Sequence, residues 1–137
     1  MSTEDLTVTQ AVAYAILYAL DIEPGEGWKT WAHIWLKGDD RSGSSAQAAI
    51  IHAVTPSAKS AANAARLLSE AAKLQTEAAI LASEGRNTRW QLDQYDQRNA
   101  QCLGEVSEAI RLSNADGSLD TESPRAAELR AKAIQSF

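Results

Sequence analysis

The chain carries little with which to build covalent or catalytic hardware. One cysteine, Cys102, stands among 137 residues. A single thiol excludes an internal disulfide framework and a zinc site built from several cysteines, and it fits a reducing compartment. The longest apolar run, residues 11–20, is half the length of about 20 residues that a membrane-spanning helix needs. The first residues, Met-Ser-Thr-Glu-Asp, lack the positive region of a secretory signal. Basic charge is also scarce: 13 Lys and Arg against 18 Asp and Glu give a net charge of −5. That balance opposes a grip on nucleic-acid phosphate but leaves an acidic surface free to dock on a basic protein. Neither a Gly-x-Gly-x-x-Gly nor a Gly-x4-Gly-Lys-Ser/Thr loop is present, so no phosphate cradle is expected. A soluble, cytoplasmic protein without a cofactor follows from these absences.

Alanine dominates what is there, and alanine is the best helix former. The three prolines, at 24, 56 and 124, all stand where a helix can begin or end. No segment alternates β-branched and polar residues, so no strand is expected. The pattern predicts an all-α, single-domain bundle of five to six helices, at about 8–21, 28–37, 45–54, 56–84, 88–113 and 124–135. Thr7, Ser42 or Ser44, Thr55, and Asn87 or Thr88 are the expected N-caps. Gly38 and Gly85 are the expected stops. A turn is expected at 114–118.

The first helix is apolar nearly all round and belongs in the centre of the bundle. The fourth is long and alanine-rich, with apolar positions Ala61, Ala65, Leu68, Ala72, Ala79 and Ala82 mixed with Leu67, Leu74 and Leu81. Ala64, Ala71 and Ala78 stand seven residues apart, a short heptad register that favours close helix packing. In the last helix Leu129, Ala133 and Ile134 are expected to face inward.

Catalytic and metal chemistry finds no positive signal. His33 and His52 have no His or Cys partner at helical spacing, where zinc wants three or four ligands. Cys102 falls on an apolar helical stripe, where a free cysteine behaves as a small hydrophobe. The acidic pairs Asp93/Asp96 and Glu105/Glu108 read as a solvated face. Residues 116–120, Asp-Gly-Ser-Leu-Asp, start like a calcium loop but lack its remaining ligands.

Interaction residues are better represented. Trp28, Trp31 and Trp35 share one face of the second helix. Their first expected role is to fasten that helix to the bundle, with Trp28 and Trp31 as interface anchors in the alternative. The loop Asp39-Asp40-Arg41 follows. The polar stretch 86–98 presents Arg86, Arg89, Trp90, Tyr95 and Arg98, and Arg, Trp and Tyr on neighbouring turns suit a protein contact.

Residues 27–42, Gly-Trp-Lys-Thr-Trp-Ala-His-Ile-Trp-Leu-Lys-Gly-Asp-Asp-Arg-Ser, lead into an alanine-rich helix. This Trp-x3-Trp-Leu-x-Gly-x-x-Arg pattern, over residues 27–82, resembles immunity proteins of bacterial toxin systems and similar small phage and plasmid proteins. The resemblance implies a stoichiometric inhibitor that binds another protein and blocks it without chemistry of its own. Phage-encoded inhibitors of bacterial defence, anti-CRISPR proteins among them, share these general properties. The expected partner is a basic nucleic-acid-handling or toxin protein. The alternative, motivated by the alanine register and the long fourth helix, is a self-assembling structural component of a phage or similar particle.

Overall fold

The computed structural model describes residues 6–113 and 124–136, and every regular element among them is an α-helix. In order these are α1 (Val8–Leu20), α2 (Glu26–Lys37), α3 (Gly43–His52), α4 (Pro56–Ser83), α5 (Arg89–Ser113) and α6 (Pro124–Ser136). The expected all-α bundle with one long alanine-rich helix is what forms. The turn expected at 114–118 and the acidic stretch 116–120 lie outside the described residues.

Local chemistry sets the helix ends. The Thr7 hydroxyl accepts from the Gln10 backbone N–H at 3.1 Å, and the Gln10 side chain accepts from the Thr7 N–H at 3.0 Å. This reciprocal box satisfies two donors that a helix start leaves open. Ser42, rather than Ser44, caps α3 through Ser45 N–H. Thr55 caps α4 through Ala58 N–H, with Pro56 at the first helical position. Gly38 ends α2 with φ +83°, a left-handed conformation that favours glycine. α2 begins at Glu26, two residues before the expected start.

α1 is the central helix. It packs on α2, α4, α5 and α6, and Val12, Tyr14, Ile16 and Tyr18 are all buried. The Tyr14 and Tyr18 rings meet edge-on at 5.1 Å. α2 closes one end of the bundle by its tryptophans. Trp28 and Trp35 are fully buried and Trp31 is 7% exposed; the Trp28 indole N–H donates to the Ala58 carbonyl at 3.0 Å.

α4 and α5 make the most extensive helix pair. Their contacts fall in antiparallel register. Ser57 Oγ donates to the Ala109 carbonyl at 2.7 Å, and Cys102 Sγ donates to the Ala64 carbonyl at 3.2 Å. Further out, Arg98 Nε meets Glu70 at 3.1 Å and Gln91 Nε2 meets Glu77 at 3.1 Å. Ala64, Ala71 and Ala78 are buried, as their heptad spacing predicts. Ala72, Ala79 and Ala82 are exposed. No helix among the described residues covers their side of α4 at that level. Ile134 of α6 is also exposed, while Ala126, Leu129 and Ala133 face inward.

The hairpin outruns the rest of the bundle. From residue 72 to residue 101 only Ala78 is buried. Among the described residues this distal half is two helices packed on each other, with the start of α1 beside them only at the cleft that Ala72 and Tyr95 border.

Candidate interaction surface

The sequence-derived candidates divide among three places. Trp28 and Trp31 lie in the core, so Trp28 presents no surface to a partner and Trp31 almost none. Their rings stand 5.6 Å apart and tilted by 58°, and their role is to hold α2 against the bundle. The reason is geometric: their shared helical face is the one that meets α3 and the start of α4.

Asp39, Asp40 and Arg41 form the corner between α2 and α3. Arg41 Nε donates to the Trp35 carbonyl at 2.9 Å, and its guanidinium lies 4.5 Å from the centre of the Trp35 ring. A cation there both satisfies a helix-terminal carbonyl and sits on an aromatic face. Asp40 accepts from Ser45 Oγ and from the Ser42 N–H. These bonds, the Ser45 hydroxyl first, hold its carboxyl below the ordinary value. Asp40 and Arg41 thus build the corner, and Asp39 alone of the three stands exposed.

Arg86, Arg89, Trp90, Tyr95 and Arg98 all lie on the distal hairpin. Arg98 ties α5 to Glu70, which also holds Arg66 at 2.7 Å, so this group braces the hairpin. Tyr95 is half-buried in the cleft beside the start of α1. Arg86, Arg89 and Trp90 are exposed together near the tip, and neither arginine forms an ion pair among the described residues. Trp90 is 62% exposed, against full burial for Trp28 and Trp35. Leu92 and Ile80, which the sequence reading did not single out, are exposed as well. The Gln91–Glu77 hydrogen bond joins the two helices at this level.

The charge of this region differs from that of the chain. Between residues 73 and 98 stand Lys73, Arg86, Arg89 and Arg98 against Glu77, Glu84, Asp93 and Asp96. The distal hairpin is neutral, and the whole net charge of −5 lies outside it.

Compared with protein-family models, with curated proteins and with solved structures, the chain matches none.

The titratable groups with catalytic potential sit apart from one another. Cys102 is sealed between α4 and α5. Burial, with Glu105 adding to it, pushes its thiol up to about 12, so it is protonated at neutral pH. His33 and His52 are both exposed, and Glu108 is paired with Arg111. Among the described residues no three His, Cys, Asp or Glu side chains converge as a metal site. Two further clefts open on other sides. One of about 390 Å³ is bordered by Gln47, Lys59, Asn63, Arg66 and Glu105, where Arg66 is already held by Asn63 and Glu70. The other, about 250 Å³ between α2 and α3, is bordered by Trp31, Ile34, Ala49 and His52.

Proposed function

We propose that this protein is a non-catalytic inhibitor that binds a partner protein and blocks it by occlusion, using the tip of the α4–α5 hairpin and the side that carries Trp90. The observation that carries this reading is the exposure of Trp90, with Arg86 and Arg89 beside it, on an element that stands clear of the core. Tryptophan and arginine are the residues that most often dominate binding energy at protein interfaces. A large apolar ring held in solvent on a rigid helix loses little freedom when a partner covers it.

The acidic remainder of the chain supports a partner with a basic surface, such as a toxin or a nucleic-acid-handling defence protein. Opposite charge raises the rate of encounter without fixing the contact itself. The resemblance of residues 27–82 to toxin-immunity proteins points to the same role, on a mobile element and in the cytoplasm. Cys102, buried and protonated, offers no nucleophile, which supports action by binding alone.

The test is co-purification of the tagged full chain from the cell that encodes it. One protein should be retained at fixed stoichiometry, and Trp90→Ala combined with Arg89→Ala should weaken retention by at least about tenfold. Equal retention by the variant, or no specific partner, removes the support for this reading.

A further inference from the structure

α2 and α3 run antiparallel and meet at both ends, with a cleft open between them. At the corner end the Asp40 carboxylate accepts from Ser45 Oγ and from the Ser42 N–H. At the other end Gly27 lies against the His52 side chain, where a Cβ on residue 27 would stand 3.5 Å from it. Between these contacts Trp31 and Ile34 of α2 face Ala48 and Ala49 of α3 across about 250 Å³. The opening is a matter of side-chain size. Two alanines stand where longer apolar residues would close the gap.

One wall of the cleft contains a donor to spare. Trp31 is 7% exposed, and its indole N–H meets no acceptor among the described residues. Trp28, one turn earlier, differs: its indole N–H is taken by the Ala58 carbonyl. Buried donors are nearly always paired, because an enclosed N–H without an acceptor has given up water and received nothing in return. The hydroxyls of the cleft are already engaged. Thr30 donates to the Glu26 carbonyl, and Ser45 donates to Asp40.

We propose that this cleft binds a small, uncharged ring compound carrying a carbonyl oxygen, with the ring against Trp31 and the two alanines and the oxygen on the Trp31 indole N–H. The apolar walls take the ring, and the unmet donor takes the oxygen. Size sets the rest. From Gly27 to Ile34 the cleft spans about 10 Å, and the Asp40–Ser45 corner closes one end, so it suits a single ring better than a partner's helix. Charge excludes an anion, since the Asp40 carboxylate borders the cleft and the chain carries a net charge of −5. The donor is enclosed, and Ile34, its neighbour one turn on, is 38% exposed and has room to turn aside and admit the oxygen.

Titration of the nitrogen-labelled full chain followed by NMR tests this, because each of the four tryptophans gives its own indole N–H signal. Trp31→Phe identifies the signal of Trp31. Acetophenone is the probe, toluene the ring without an oxygen, and benzoate the anion. Acetophenone should move the Trp31 signal to saturation with a Kd below about 1 mM and leave the Trp90 signal in place. Toluene and benzoate should bind at least about fivefold more weakly. Ala48→Leu puts a good helix former at an exposed position and fills the cleft. It should abolish the shift while circular dichroism stays that of the wild type. Trp31→Phe should bring acetophenone and toluene level, read from the probes' own signals. A Trp31 signal that does not saturate overturns the proposal, as does equal binding of toluene or an unchanged titration in Ala48→Leu. A Trp31 signal that moves with protein concentration alone overturns it too, by placing a second copy in the cleft. None of these results bears on the partner-binding reading, which the Trp90 and Arg89 variants decide.

Discussion

The carboxylate of Glu23 accepts the backbone N–H of Thr55 at 2.8 Å, joining the end of the α1–α2 turn to the residue that caps α4. The same side chain also accepts from the Thr55 hydroxyl at 2.9 Å, from Val54 N–H at 2.8 Å and from Gly25 N–H at 3.0 Å. Thr55 Oγ1 in turn accepts from Ala58 N–H. A buried acid thus completes the start of the longest helix from a distant turn. The favourable field at a helix N-terminus adds to the effect.

Glu23 makes stability depend on pH. Burial pushes its pKa up, but the hydrogen bonds from Thr55, Val54 and Gly25 outweigh burial and hold the carboxyl below its ordinary value. The unfolded chain therefore takes up this proton first as pH falls. The stability that Glu23 contributes is complete above the ordinary carboxyl pKa and is lost as pH drops through the lower folded value. Glu23→Gln should cost about 2 kcal/mol near neutral pH, because an amide turns a donor toward backbone N–H groups. Urea unfolding should show the gap between wild type and variant narrowing below about pH 4. A gap that stays constant with pH would assign the loss to shape instead of charge.

The tryptophans should separate cleanly by solvent access and by energy. Trp28→Ala removes a buried indole together with its hydrogen bond to the Ala58 carbonyl, and it should cost about 3–5 kcal/mol. Trp90→Ala should change stability by less than about 0.5 kcal/mol. In fluorescence quenching by iodide, the accessible fraction of the wild type should disappear in Trp90→Phe. Persistent quenching in that variant would mean that one of the α2 tryptophans reaches solvent.

Cys102 should be inert in the folded protein. Its thiol is buried, donates to the Ala64 carbonyl and is held at about 12. Reaction with an aromatic disulfide reagent at mildly alkaline pH should wait for global unfolding, and the labelling rate should follow the unfolding equilibrium as denaturant is added. Rapid labelling without denaturant would show that the α4–α5 seam opens locally.

Neighbouring alanines of α4 should respond oppositely to enlargement. Ala71 is 1% exposed against α5, and Ala71→Leu should cost about 1–3 kcal/mol by overpacking. Ala72 is exposed, and Ala72→Leu should leave monomer stability within about 0.5 kcal/mol. Thermal unfolding at low protein concentration distinguishes the two, and equal losses would refute the assigned seam.

The features that were legible in the sequence are those decided within a few residues. Thr7, Thr55 and Gly38 end helices by bonds to their own neighbours, and the spacing of Ala64, Ala71 and Ala78 marks a face without reference to the rest of the fold. What stayed hidden depends on distant chain. Ala65 and Ala79 look alike in an alanine-rich helix, and only the point at which α1 stops decides that one is covered and the other is not. Glu23 sits among the breakers of a turn, while Val54 and Thr55, which it joins to that turn, lie some 30 residues away. Trp28 and Trp90 both stand in the first turn of a helix. The first meets a neighbouring helix and the second meets solvent, which no local pattern records.

The placement of α1 has a consequence for how the chain acquires its structure. α1 precedes in the sequence all four helices that cover it, α2, α4, α5 and α6. The α4–α5 hairpin needs only one short connection to close and forms from contacts near in sequence, which are the fastest to assemble. During synthesis the most apolar helix emerges early and waits uncovered while the scaffold that will receive it is still being made.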